Sequence, residues 1–220
     1  MKQVYQMDVD KVFTQMQTNE KGLSMQRAKE LLEEKGENVL EEGKKKTAVM
    51  VFLEQFKDLL VMILIIAAIV SAVSGNAEST VVIFVVIILN AILGTVQYMK
   101  AEKSLNALKA LSMPYAKVIR DGKKMEIPST EVVPGDIVIL EAGDMIVADG
   151  RIFNNYSLQV NESALTGEST NVDKVDYRLE EDLPLADRRN MVYSGTLVTY
   201  GRAEVVVTGT GMGTEMGEIA

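Results

Sequence analysis

The run "LLVMILIIAAIVSAVSGNAESTVVIFVVIILNAILGTVQYM", Leu59 to Met99, decides what kind of fold this chain can have. Its one charged residue, Glu78, falls just after the turn-forming Ser74-Gly75-Asn76. Asp58 and Glu78 bracket a first charge-free stretch, Leu59 to Ala77, and Glu78 and Lys100 bracket a second, Ser79 to Met99. Each is roughly 20 residues, which at about 1.5 Å per helical residue matches a bilayer core of about 30 Å. Two consecutive runs of this length read as a transmembrane pair rather than as core helices of a soluble domain. The first begins too deep in the chain to be a signal peptide.

Moving outward, the short connection Ser74-Gly75-Asn76-Ala77-Glu78 carries no Lys or Arg, whereas Lys44, Lys45 and Lys46 lie on one flank and Lys100, Lys103 and Lys109 on the other. Basic residues are retained on the cytoplasmic side, so a multi-pass protein of the cell membrane with both ends cytoplasmic is expected. The second helix should not stop at the lipid surface. Leu105, Leu108 and Leu111 continue at helical spacing until Met113-Pro114 breaks the pattern.

The flanking segments differ in period. On the N-terminal side two short helices are expected. Asp8 caps the first, with Val9, Val12, Phe13 and Met16 on one face. Ser24 caps the second, with Met25, Ala28, Leu31 and Leu32 as its stripe and Gly36 as its end. Both stripes are narrow and need a partner surface. From Tyr115 the period becomes 2. Lys117 to Arg120, the pair Asp121-Gly122 and Lys123 to Ile127 read as a β-hairpin. Further strands are expected at Asp136–Leu140, Gly150–Phe153, Leu158–Val160, Met191–Tyr200 and Ala203–Thr208, punctuated by Pro134-Gly135-Asp136, Ala142-Gly143-Asp144 and Asp149-Gly150. The tail "TGTGMGTEMGEIA" lacks the third glycine of a dinucleotide fingerprint, since position 214 is Thr, and reads as a loop leading back to the membrane.

Composition removes several function classes. The chain of 220 residues has no Cys and no His, which excludes disulfides, thiol or imidazole catalysis and the commonest transition-metal ligands. The net charge is −8, and from Ala101 onward 12 Lys and Arg face 19 Asp and Glu, the opposite of a nucleic-acid binder. Neither Gly43-Lys44 nor Gly122-Lys123 is followed by the Ser or Thr of a phosphate-binding P-loop.

Three stretches align in order with a known family: "VVPGDIVILEAGDMIVADGRI" (Val132 to Ile152), "LQVNESALTGES" (Leu158 to Ser169) and "NMVYSGTLVTYG" (Asn190 to Gly201). They resemble the actuator domain of the P-type ATPases, the phosphorylated cation pumps. The apolar pair resembles the first two membrane helices of those pumps, and the N-terminal helices resemble the helical part of the same actuator. "LNAILGTVQYMKAEKSLNALKALS" (Leu89 to Ser112) is most similar to bacterial calcium pumps. The implied fold is an α+β membrane protein. It comprises an N-terminal helical part of the actuator (1–47), a transmembrane hairpin with a cytoplasmic helix extension (48–111) and a small all-β actuator domain (112–220).

The resemblance also implies chemistry. In these pumps an aspartate on another domain is phosphorylated by ATP, and a Thr-Gly-Glu-Ser loop helps to hydrolyse it. Carried over, Glu168 orients and deprotonates the attacking water. Gly167 lets the backbone come close in unusual torsions, and Thr166 and Ser169 offer hydroxyls. The family's Asp-Lys-Thr-Gly phosphorylation sequence is absent from these residues, as are a nucleotide-binding domain and later ion-binding helices. The chain itself is thus expected to hold no cofactor or metal. ATP and Mg²⁺ belong to the whole pump, and the expected partners are the lipid bilayer, the pump's remaining domains and helices, and the transported cation. Two other readings stay open: a stand-alone two-helix membrane protein with a cytoplasmic β binding domain, and a pump for Mg, Na or protons.

Overall fold

The apolar residues between Leu59 and Met99 form helices of unequal length. The computed structural model describes residues 3–40, 46–111, 114–167 and 170–219. The chain divides into two compact units, one of residues 42–112 and one of residues 1–41 with 113–220. In the first, α3 (Ala48–Gln55), α4 (Leu59–Val73) and α5 (Ala77–Leu111) follow one another. Among the described residues a single helix, α5 over Ala77–Leu108, is long and apolar enough to cross a membrane. Only 11% of its apolar window is buried within the chain, so it is not the core helix of a soluble domain.

The first apolar run departs from the two equal spans expected. The carboxylate of Asp58 caps α4 by accepting from the Leu60 amide at 2.9 Å, and Ser74 and Gly75 end it. The resulting 15-residue helix is about 22 Å long, short of a bilayer core. It reaches spanning length only together with α3, from which it is bent by 62° at the break before Leu59. Val51 of α3, Val61 of α4 and Ile87 and Ala91 of α5 are the buried residues where these helices pack together. The expected rod is present, since α5 runs unbroken for 35 residues to Leu111.

The second unit joins the N-terminal helices to a seven-stranded antiparallel sheet in the order β2-β1-β3-β7-β4-β5, with β6 also paired to β4. Helix α1 is Val9–Met16 and α2 is Met25–Lys35. The strands are β1 (Tyr115–Arg120), β2 (Lys123–Pro128), β3 (Ile137–Glu141), β4 (Asp149–Asn161), β5 (Asn171–Asp173), β6 (Met191–Val192) and β7 (Leu197–Gly209). Both sheet faces are covered. Val138, Leu140, Ile152, Val205 and Val207 enter the larger core, while Ile137, Phe153 and Val206 pack against Val12 and Phe13 of α1. The narrow stripe of α1 finds its partner there, with the rings of Phe13 and Phe153 edge to face at 5.1 Å. Helix α2 packs Ala28 and Leu31 around Leu23 and Val133. Ser24 caps α2 as expected, accepting from the Arg27 amide at 3.1 Å. Asp8 stands at the N-cap of α1 without making the cap bond, and its carboxylate faces Arg178 at 3.3 Å instead.

The hairpin across Asp121-Gly122 forms in the expected register, with Arg120 opposite Lys123 and both turn residues at positive φ. Elsewhere the strand bounds differ from the sequence pattern: the strand expected at Met191–Tyr200 is broken by a turn at 193–196 into β6 and the start of β7, while two others are longer than expected. The segments expected at Gly150–Phe153 and Leu158–Val160 are one strand, β4, whose register shifts at several places along β7. Tyr200 and Ala203 likewise belong to one strand. Gly201 adopts φ +78°, and a Cβ there would sit 2.2 Å from the Ser157 carbonyl oxygen, so only glycine lets β7 pass β4 at this bulge. Pairing with β4 also makes Asn171–Asp173 a strand, although three residues carry no readable period.

The tail is not the expected loop. A 3₁₀ turn at Gly211–Gly213 leads into the short helix α7 (Glu215–Ile219). The Asp149 carboxylate accepts from the Glu215 amide at 2.7 Å and the Thr214 hydroxyl from the Gly217 amide at 3.0 Å, which supplies the helix start that composition conceals.

Candidate functional site: the loop between β4 and β5

Thr166 and Gly167 lie on the connection that closes the β4–β5 hairpin. Glu168 and Ser169, the other two predicted site residues, lie outside the described residues. The connection is held at both ends, with Asn161 paired to Asn171 and Gln159 to Asp173. The side chain of Asn161 starts it, accepting from the amide and the hydroxyl of Ser163 at 3.0 and 2.6 Å. One helical turn follows, α6 (Ser163–Thr166). The carbonyl of Glu162 accepts from the amides of Leu165 and Thr166, each at 2.9 Å, and from the Thr166 hydroxyl at 3.1 Å. Leu165 packs on the cluster of Tyr5, Met191 and Tyr193, the turn's apolar attachment to the unit.

Gly167 ends the turn in the left-handed conformation, at φ 76° and ψ −3°, where its amide still donates to Ser163. Among the described residues no atom beyond its chain neighbours lies within 4 Å of where a Cβ would stand. Glycine is therefore required at this position by torsion rather than by crowding. Of the two reasons for glycine given by sequence, the structure bears on this one.

Directly below the turn, Glu162 and Lys174 form an ion pair with side chains 1% and 0% exposed. The Lys174 ammonium also lies 5.6 Å from the centre of the Tyr193 ring. Burial pushes the Glu162 carboxyl up and the Lys174 ammonium down, each partly opposed by the other's charge. Sequence reading passed over both residues. A period of 2 from Val172 puts Lys174 on the inward face, and that was the available signal. A third buried titratable group, Asp149, accepts from the amides of Ser194 and Glu215 at 2.8 and 2.7 Å. Its carboxyl is pushed up to about 6, chiefly by burial.

The sheet, the N-terminal helices and the loop are the frame within which comparison with other proteins becomes informative. Residues 110–220 match the model of the P-type ATPase actuator domain, and residues 4–71 match that of the cation transporter/ATPase N-terminus. The chain belongs to the P-type ATPases. Among the relatives of this P-type ATPase segment, a calcium-transporting ATPase of Listeria monocytogenes is 47% identical over 99% of the chain and 25% of its own length. One of Lactococcus lactis is 43% identical over the same shares. A probable cation-transporting ATPase F of Mycobacterium tuberculosis is 44% identical over 90% of the chain and 22% of its own length. The chain thus spans a quarter of the length of these calcium-transporting relatives.

Proposed function

We propose that this segment is the actuator and membrane-hairpin portion of an ATP-driven cation pump, and that its Thr166-Gly167-Glu168-Ser169 loop promotes hydrolysis of an aspartyl phosphate carried by another domain. The observation that carries this reading is the loop's placement. It is an exposed turn at a hairpin tip, rooted on both sides and bent by Gly167. In sequence, Glu168 directly follows that bend. Glu168 takes the proton of a water in line with phosphorus. The water oxygen bonds to phosphorus, the bond to the aspartate oxygen breaks, and phosphate leaves. ATP and Mg²⁺ act on the phosphorylated and nucleotide-binding domains of the whole protein.

Calcium is the cargo this reading favours, on the names of the relatives most similar over 99% of the chain. In the membrane, α3 with α4 and the apolar part of α5 form the hairpin, with both ends cytoplasmic as the flanking lysines dictate. Helix α5, continuous to Leu111, is the lever through which movement of the sheet reaches the bilayer.

Glu168→Gln in a full-length pump containing this segment tests the chemistry. The phosphoenzyme should form normally from ATP and decay about 10²-fold or more slowly, the usual contribution of a general base. Decay at the wild-type rate would remove Glu168 from the mechanism.

A further inference from the structure

We infer that Glu162 and Lys174 position the Thr166–Ser169 loop for hydrolysis, acting as a buried ionic root rather than as a general stabiliser of the fold. The inference rests on the reading of that loop given above, and four observations carry it. First, the two residues flank the loop: Glu162 immediately precedes α6, and Lys174 immediately follows β5. Their contact therefore ties the two ends together through side chains, in addition to the backbone pairing of β4 with β5. Second, the backbone carbonyl of Glu162 receives three of the turn's hydrogen bonds, so a shift of Glu162 is transmitted to Leu165 and Thr166. Third, Lys174 is held independently, its amide donating to the Leu158 carbonyl at 2.9 Å and its ammonium resting near Tyr193.

The fourth observation is energetic. The pair is almost wholly excluded from water, yet Oε2 of Glu162 has no partner among the described residues. A buried ion pair with an unsatisfied oxygen adds little stability over apolar side chains of the same volume, because desolvation offsets the attraction. What it does supply is a distance and a direction. Around this root the turn is largely open to solvent, with Ser163, Ala164, Gly167 and Thr170 exposed and Leu165 and Thr166 half-buried.

The test uses a full-length pump containing this segment. Glu162→Gln and Lys174→Met each leave one member of the pair without its partner and should displace the loop. Phosphoenzyme formation from ATP should be retained while decay slows about 10- to 100-fold, the scale expected for a misplaced catalytic group. The double variant Glu162→Gln/Lys174→Met removes both charges and should decay faster than either single variant, a coupling that independent effects do not produce. Should the single variants fail to fold, Lys174→Arg keeps the charge, changes the geometry and should also slow decay. Wild-type decay per phosphoenzyme formed, whatever the protein yield, would overturn the inference.

Glu168→Gln, measured alongside, separates the two claims. Slow decay in Glu168→Gln with normal decay in the pair variants removes only the positioning role. Normal decay in Glu168→Gln removes the hydrolytic reading, and amide exchange then decides the pair alone. Exchange at Leu165 to Gly167 should quicken in the single variants and less so in the double variant. Unchanged exchange would sink the ionic root.

Discussion

Among the described residues the sheet unit buries two ion pairs, and they are built differently. Arg120 and Asp136, 6% and 0% exposed, meet through two parallel bonds of 2.8 and 2.6 Å. Arg120 also donates to the Glu131 carbonyl at 2.9 Å, and Asp136 also accepts from the Val133 amide at 3.0 Å. Both oxygens of that carboxylate are used, and the turn before β3 is locked. Glu162 and Lys174 are at least as buried but share one contact and leave one oxygen without a partner among the described residues. Burial alone therefore does not distinguish a structural pair from one that serves a site. The completeness of hydrogen bonding does, because a satisfied pair offsets its desolvation and an unsatisfied one does not.

The largest expected break in this comparison is at the satisfied pair. Arg120→Met strands Asp136 in the core without its counter-charge and should lower unfolding stability by about 3–5 kcal/mol. Thermal unfolding of the detergent-solubilised protein would show it, and a loss below about 1 kcal/mol would mean that the two pairs do not differ as described.

Asp149 sharpens the contrast as a buried carboxylate with two amide donors and no cation in contact. Its carboxyl stands at about 6 in the folded protein, against about 3.9 when unfolded. The folded state holds this proton more tightly, so its contribution to stability is fully present below about pH 4 and is lost as pH rises through about 6. The change is worth about 3 kcal/mol at most. Unfolding measured from pH 4 to 7 should show this component in the parent protein and not in Asp149→Asn.

The smallest effect belongs to the exposed counterpart of both pairs. Lys117 reaches Glu141 at 2.7 Å and Asp144 at 3.2 Å, but its side chain is 36% exposed. Lys117→Ala should cost about 0.2–1 kcal/mol, and less at high salt. A larger loss in the same unfolding assay would show that burial is not what sets the scale.

Legibility in the sequence followed the same division between local and distant causes. The hairpin at Asp121-Gly122, the cap at Ser24 and the long apolar helix follow from residues adjacent in the chain. Strands β4 and β7 did not, because their bulges and the left-handed Gly201 interrupt the alternation that pattern reading requires. The shortness of α4 depends on one cap bond from Asp58, which a count of apolar residues overlooks. Helix α7 begins on a carboxylate some sixty residues earlier in the chain. At the site, Thr166 and Gly167 were recognisable through the motif. Glu162 reads like any solvated acid beside a polar turn, and its burial is decided by Lys174 and Tyr193 across the fold.

The position of β7 has a consequence for how the protein is made. Among the strands of this sheet it is the last in chain order, yet it lies between β3 and β4, and its Val206 completes the cluster that receives Val12 and Phe13 of α1. While a ribosome is still translating residues 114–196, β3 and β4 have no common neighbour and α1 has only part of its docking surface. Assembly of the sheet thus waits on a strand, Leu197–Gly209, that comes well after its partner at Ile137–Glu141, a slow, long-range closure. Helix α1 spends that interval only partly covered, where a chaperone or a protease meets it first.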